Sequence, residues 1–290
     1  MTAVSAGGLS AWAAWPAVEW VALDGLGDPE PAIDALGEMT SIASAEFAIR
    51  PFIEAHPEAT WRRLRDWAAS SDEHRRRLAS EGTRPKLPWG KRVAAIDRDP
   101  GPGLELLDLL RDDESEYVRR SVANHLNDVT RTHPDVALAT AARWSEEGGT
   151  HVMGVVRHGL RGLVKRGDRR ALALVGADVD AEVEAQLELG AETVAIGDAM
   201  PFTAGLNLAG TAPSRAVIDY AVLYARPSGR VARKVFKLTE LDLEPGRPVR
   251  LRRKLKLSDV SIRTHYPGEH TIELLVNGRI AASASFELRR

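Results

Sequence analysis

Residues 114–135 read ESEYVRRSVANHLNDVTRTHPD, and this stretch decides how the first two thirds of the chain fold. Val118, Val122, Leu126 and Val129 recur at three- and four-residue spacing, which is one stripe of an amphipathic helix. The opposite face carries Glu116, Arg119, Arg120, Asn124, Asn127 and Asp128 instead of the Lys, Glu, Gln and Ala of an ordinary solvated surface. Short Asn and Asp side chains compete for backbone hydrogen bonds inside a helix. A helix that places them at 124, 127 and 128 has a structural or a chemical reason to do so.

Two other segments lie over this one: DEHRRRLASEG (72–82) and HVMGVVRHGLRGLVKRGD (151–168). Arg76 and Arg77 fall on Arg119 and Arg120 at an offset of 43, and Val155, Val156 and Arg157 follow Tyr117, Val118 and Arg119 at an offset of 38. EFAIRPFIE (46–54) reads as an earlier, degenerate copy. Helical patterning with a period near 40 is the mark of HEAT-like helix pairs stacked into a solenoid, which present one face along a concave surface.

After about residue 190 the period changes from 3.6 to 2. ETVAIG, RAVIDYAVLYA, RVARKVFKL, PVRLRRKLKL and HTIELLVNGRIAASASFEL are alternating or β-branched runs between Pro, Gly and Ser turns, and Asn277-Gly278 is a hairpin signal. About seven strands in a hundred residues predict an immunoglobulin-like sandwich. The expected architecture is therefore a HEAT-like helical domain over 1–190 followed by an immunoglobulin-like β-sandwich over 191–290. In PVRLRRKLKL, alternation turns Arg250, Arg252, Lys254 and Lys256 to one face and Val249, Leu251, Arg253, Leu255 and Leu257 to the other. Such a cation row matches a phosphate backbone or protects an exposed sheet edge.

Composition narrows the function classes. The chain has no cysteine, which excludes disulfides, thiolate metal sites and thiol nucleophiles. No Lys or Arg precedes Arg50 and no apolar run approaches about 18 residues, so neither a secretory signal nor a membrane span is expected and the location expected is cytoplasmic. The net charge of -2 hides a partition: residues 1–45, 46–170, 171–190 and 191–290 carry -6, +3, -5 and +6. Basic charge is concentrated where a polyanion would meet the repeats and the sandwich. No zinc signature, Gly-rich phosphate loop or Ser/His/Asp arrangement is present, and His125, His133, His151 and His158 lack metal-ligand spacing and read as structural.

Two carboxylates and one tryptophan stand out. Glu81 occupies the last turn of its helix, where it opposes the helix dipole, with Gly82 read as the C-terminal cap. A salt bridge to Arg76, Arg77 or Arg84 would account for it structurally. Glu116 stands at the spacing of a surface ion pair with Arg119 or Arg120. If the repeats stack, the two carboxylates can converge on the concave face. RPKLPWG (84–90) is a proline-stiffened loop that would hold Trp89 partly exposed, available to stack on a base.

RRLASEGTRPKLPW, DDESEYVRRSVANHLNDVTRTHPD and RHGLRGLVKRGDRRALALVG, in that order and spacing, resemble the AlkC branch of the AlkC/AlkD superfamily of DNA alkylation-repair glycosylases. The likeness spans about residues 46–176. It implies a HEAT-like superhelix, in some members with a carboxy-terminal immunoglobulin-like domain. It also implies excision of cationic N-alkylated bases, chiefly 3-methyladenine with 3-methylcytosine as a further substrate, from duplex DNA without full flipping into a deep pocket.

On that resemblance the chemistry assigns roles. A 3-methylated purine is cationic and already a good leaving group, so it needs no general acid. Negative charge near the developing oxocarbenium and a positioned water are what help, and Glu81 and Glu116 would supply both. Trp89 and Arg84 would contact the base or the DNA. Arg119, Arg120, Arg157, Arg161 and Lys165 would hold phosphates, and Asn124 and Asn127 would shape the site. Arg250, Arg252, Lys254 and Lys256 would form a second DNA clamp. No metal, cofactor or nucleotide is expected. The partner expected is double-stranded DNA bearing alkylated bases, bound by a monomer that is nucleoid-associated when on DNA. A non-catalytic HEAT-repeat DNA-binding or scaffold protein is the alternative; a general protein adaptor would leave Glu81, the Asn pair and the basic strand unexplained.

Overall fold

A computed structural model describes residues 11–259 and 264–290. The chain divides into two compact units, 1–162 and 163–290. Among the described residues the helices are α1 (Ala11–Asp24), α2 (Pro29–Met39), α3 (Arg50–Ala55), α4 (Pro57–Ala68), α5 (Glu73–Gly82), α6 (Ala94–Arg98), α7 (Gly101–Leu110), α8 (Glu116–Val129), α9 (Pro134–Glu147), α10 (Val152–Gly159), α11 (Arg161–Lys165) and α12 (Arg169–Leu174).

Local chemistry sets several of these boundaries. Pro29, Pro57 and Pro134 begin their helices, where a missing N–H is no loss. Asp72 caps α5 by accepting the His74 N–H at 2.9 Å. In the first unit α4, α7 and α9 form one layer, tied by Arg65 to Glu105 at 3.2 Å and by the Trp144 indole to Asp108 at 2.6 Å. The three segments superimposed in the sequence become α5, α8 and α10, side by side with α8 in the middle. The stripe Val118, Val122, Leu126 and Val129 is completely buried, each residue contributing about 1.5–3 kcal/mol. Gly159 lets α10 close on α8: a Cβ there would stand 2.7 Å from Leu126.

EFAIRPFIE, read as a degenerate copy of the repeat, forms only the six-residue α3, and Arg50 turns inward, donating to the carbonyls of Gly82 at 2.8 Å and Arg84 at 3.0 Å. One local expectation is corrected. Gly82 is not the cap of α5; the helix runs through it to Thr83. Its smallness serves packing, because a Cβ would lie 2.6 Å from Ile49.

The second unit carries eight strands: β1 (Val183–Leu189), β2 (Thr193–Ala195), β3 (Ala199–Leu208), β4 (Ser214–Ala225), β5 (Val231–Leu243), β6 (Val249–Lys256), β7 (Gly268–Val276) and β8 (Arg279–Arg289). They form a three-stranded sheet β1-β3-β6 and a five-stranded sheet β2-β8-β7-β4-β5. Phe202 and Leu255 of the first pack with Val222, Ile272 and Phe286 of the second. β1 and β3 lie outside the runs picked out above. β1 is built of Glu, Ala, Gln and Leu, a helix-forming composition, and β3 is interrupted by Pro201, Gly205 and Asn207. Their inner faces are nonetheless period-2, with Met200, Phe202, Ala204, Leu206 and Leu208 all buried. Asn277 and Gly278, both at positive φ, make the β7–β8 turn, and Asn277 also accepts the Val217 N–H at 2.8 Å. β6 is an edge strand whose Arg250, Arg252, Lys254 and Lys256 are exposed, as its alternation requires.

Candidate active site and nucleic-acid interface

The junction of α5 and α8 holds a buried polar chain. Glu81 reaches out from the last turn of α5 with its side chain 9% exposed. Its Oε1 accepts from Arg84 Nη1 at 2.6 Å and faces Arg77 Nη2 at 3.7 Å. Its Oε2 accepts from Ser121 Oγ of α8 at 2.6 Å. Ser121 Oγ also faces Ser80 Oγ at 2.9 Å, so its one hydrogen is shared between the carboxylate and that hydroxyl. Arg84 then extends Nε to Asp128 at 2.9 Å, joining two buried carboxylates. Burial alone would lower the Arg84 guanidinium, and Glu81 and Asp128 together carry it above its ordinary value. Arg77 behaves likewise through Glu46 and Glu81, and it lies 5.1 Å over the Tyr117 ring.

The polar face of α8 now has its reason. Asp128 anchors Arg84, Asn124 Oδ1 accepts from Arg161 Nη2 at 2.9 Å, and Asn127 Oδ1 accepts the Gly162 N–H at 3.2 Å. Each awkward side chain ties α8 to a neighbouring repeat. His125 is also structural: it is wholly buried, bonds the Ser80 carbonyl at 3.0 Å, and is pushed by burial down to about 4.

Glu116 occupies a different environment. It begins α8 with a side chain 74% exposed and accepts from Arg120 Nη2 at 2.7 Å. It lines an open cleft of about 340 Å³ between α8 and α10, together with Arg119, Arg120, His151, Gly154 and His158. Burial, Arg161 and Arg120 lower the His158 imidazole, in keeping with positive surroundings. Glu81 is not among the residues lining this cleft. Arg119 folds back on its own helix start, donating to the carbonyls of Asp113 at 2.6 Å and Glu114 at 2.8 Å. Arg157 and Lys165 are exposed.

Trp89 stands 97% exposed with φ at +62°, a left-handed conformation that is strained for a bulky side chain. Its loop is anchored on both sides by Arg50, which donates to the carbonyls of Arg84 at 3.0 Å and Lys91 at 2.5 Å, and by Lys86, which reaches Asp97 at 2.8 Å. Ser121 and Asp128 were not singled out as site residues from the sequence. The usable signal was distance along the chain, since they follow Glu81 and Arg84 by 40 and 44 residues, close to the repeat period.

Stacked helix pairs whose junctions hold buried carboxylates, followed by an immunoglobulin-like sandwich, define the class. A family model described as "Uncharacterised protein YhaZ, C-terminal Ig-like domain" matches residues 183–290. The uncharacterized protein YhaZ of Bacillus subtilis (strain 168) is 36% identical over 273 residues, covering 93% of this chain and 75% of the relative. The solved structure of Pseudomonas fluorescens alkylpurine DNA glycosylase AlkC, bound to DNA containing an abasic site analog, is similar at a TM-score of 0.93. It shares 40% identity over 97% of this chain and 78% of that one. The chain belongs to the AlkC family of DNA glycosylases. Among the described residues no helix is long and apolar enough to cross a membrane, and no group of three or more His, Asp or Glu could hold a metal ion.

Proposed function

We propose that this DNA glycosylase excises cationic N-alkylated bases, 3-methyladenine first and 3-methylcytosine second, from double-stranded DNA. It does so as a cytoplasmic monomer without metal or nucleotide. The observation that carries the reading is Glu81, a carboxylate fixed between Ser121 and Arg84 at a repeat junction. A 3-methylated purine leaves as a neutral base when its bond to C1′ breaks, and positive charge then passes to the sugar. Preorganised carboxylates answer that charge without rearranging, and they orient the water that adds to C1′ and yields the abasic site. Oε2 of Glu81 takes one donor from the protein, so it has lone-pair capacity for such a water. Glu116, on the rim, acts on the same developing charge from the cleft side. Trp89 stacks against a base, Arg84 holds Glu81, and Arg119, Arg120, Arg157, Arg161 and Lys165 supply positive potential for phosphates. The β6 cation row clamps the duplex from the sandwich.

The test is incubation of the purified protein with methylated duplex DNA and a chelator, followed by chromatography of released bases. Free 3-methyladenine is expected. DNA binding without base release would replace the proposal with a non-catalytic binder.

A further inference from the structure

Several glycines of the helical unit have visible packing reasons; Gly27, in a 3₁₀ turn, and Gly154, inside an α-helix, do not, and Gly148 stands at positive φ. A Cβ on Gly37 would stand 2.6 Å from Trp67, on Gly82 2.6 Å from Ile49, on Gly103 3.1 Å from His125 and on Gly159 2.7 Å from Leu126. A Cβ on Gly154 would meet nothing within 4 Å. Gly154 also has no positive φ, so its backbone is one that alanine adopts without strain. Glycine in a helix is less favourable than alanine because it loses more chain entropy on folding. The first turn of α10 thus carries a destabilising residue that neither packing nor backbone geometry demands. Rules broken without local gain point to function.

The place of Gly154 says what the gain is. It lines the cleft between α8 and α10, opposite Ala123 and among Arg119, Arg120, His151 and His158, with Glu116 as the acidic member. Arg120 is 62% exposed, and burial first, then Arg161 and Arg120, lower the His158 imidazole. The cleft suits an anionic occupant. We propose that Gly154 is the point at which the sugar–phosphate backbone of a bound DNA strand approaches the main chain of α10, and that its missing side chain is what admits the strand. A side chain there would project into the volume that the strand fills. This rests on the reading of the α8–α10 cleft as facing DNA. It assigns Gly154 to binding and not to the chemistry.

The test compares G154A and G154L with the wild-type full chain on a duplex holding an abasic-site analogue, with thermal melting alongside. Alanine should raise Tm by about 1 to 3 °C, since it removes the chain-entropy penalty of glycine at an exposed site. It should nevertheless weaken DNA binding. Leucine should weaken binding by roughly tenfold or more, as expected when methylenes are forced into a filled contact. Single-turnover excision at saturating DNA should change less than affinity in both variants. The combination of higher Tm and weaker binding in G154A is one that a purely structural glycine would not produce. Wild-type affinity in both variants overturns the proposal. The catalytic reading is judged separately by E81Q and E116Q: if those excise at the wild-type rate it fails, whatever the affinities of the Gly154 variants.

Discussion

Glu81→Gln separates charge from shape at the repeat junction. The amide oxygen can still accept from Arg84 Nη1, now 2.6 Å from Oε1, and the amide nitrogen can donate to Ser121 Oγ, now 2.6 Å from Oε2. Arg84 keeps Asp128 at 2.9 Å and Arg77 keeps Glu46 at 2.9 Å, so neither guanidinium is stranded. What is lost is charge assistance. A hydrogen bond to a charged partner contributes about 1.5–3 kcal/mol and a neutral one about 0.5–1.5, so the fold should lose roughly 1–2 kcal/mol. That is well inside the 5–15 kcal/mol typical of a native protein, and the variant should fold. Alanine would be the wrong choice, because truncating one partner of a buried pair costs about 3–5 kcal/mol. Removing one preorganised electrostatic contact to the transition state should cost about 2.7–4 kcal/mol of barrier, or about 10²- to 10³-fold in rate. Single-turnover release of 3-methyladenine should therefore fall by that factor, while affinity for abasic-analogue duplex changes within about threefold, under 1 kcal/mol. Glu116→Gln should show the same ordering with stability unchanged, since its 74% exposed ion pair adds little to folding. If both variants excise at the wild-type rate, the carboxylates serve structure alone and the mechanistic argument fails.

Trp89→Gly should raise Tm slightly, because glycine relieves the left-handed strain and the side chain is 97% exposed, while excision falls if the indole stacks on DNA. Equal activity would leave Trp89 without a role. A quadruple alanine variant at Arg250, Arg252, Lys254 and Lys256 should bind DNA more weakly, with the slope of log affinity against log salt reduced by about 0.9 for each lost phosphate contact. An unchanged slope would assign the row to guarding the β6 edge. Two buried groups set opposite pH responses in the two units. His125, pushed by burial from its ordinary range to about 4, contributes stability to the helical unit that is present above about 6.5 and lost as the pH falls toward 4, roughly 3 kcal/mol in all. Asp219, pushed up to about 6 by burial and with Oδ1 unpartnered, works the other way: its contribution is present below about 4 and lost as the pH rises through 6. Asp219→Asn should accordingly stabilise the sandwich unit at neutral pH and leave it unchanged in acid, which melting curves across pH 4 to 8 would check.

Although β1, inside the 1–190 span read as helical, and β3 escaped it, the sequence by itself determined most of the helices and the other strands of the sandwich, and which face of α8 and β6 is buried. Those are local properties: the stripe of α8 repeats every three or four residues, the alternation of β6 every two, and the Asn277-Gly278 turn needs only its own positive φ values. The repeat itself was legible for the same reason, as was the exposure of Trp89 on a proline-stiffened loop. What the tertiary structure decided is which neighbour each polar side chain serves. The bonds from Glu81 to Ser121, Arg84 to Asp128, His125 to Ser80 and Arg161 to Asn124 span 40, 44, 45 and 37 residues. Their lengths echo the period, but the period does not say which of Glu81 and Glu116 faces inward. That depends on helix rotation within the stack, which buried Glu81 against α8 and left Glu116 at the rim. Gly82 and Gly154 make the same point in reverse: both are helical glycines in the sequence, and only the presence of Ile49 beside one and open space beside the other separates a packing device from a proposed binding surface.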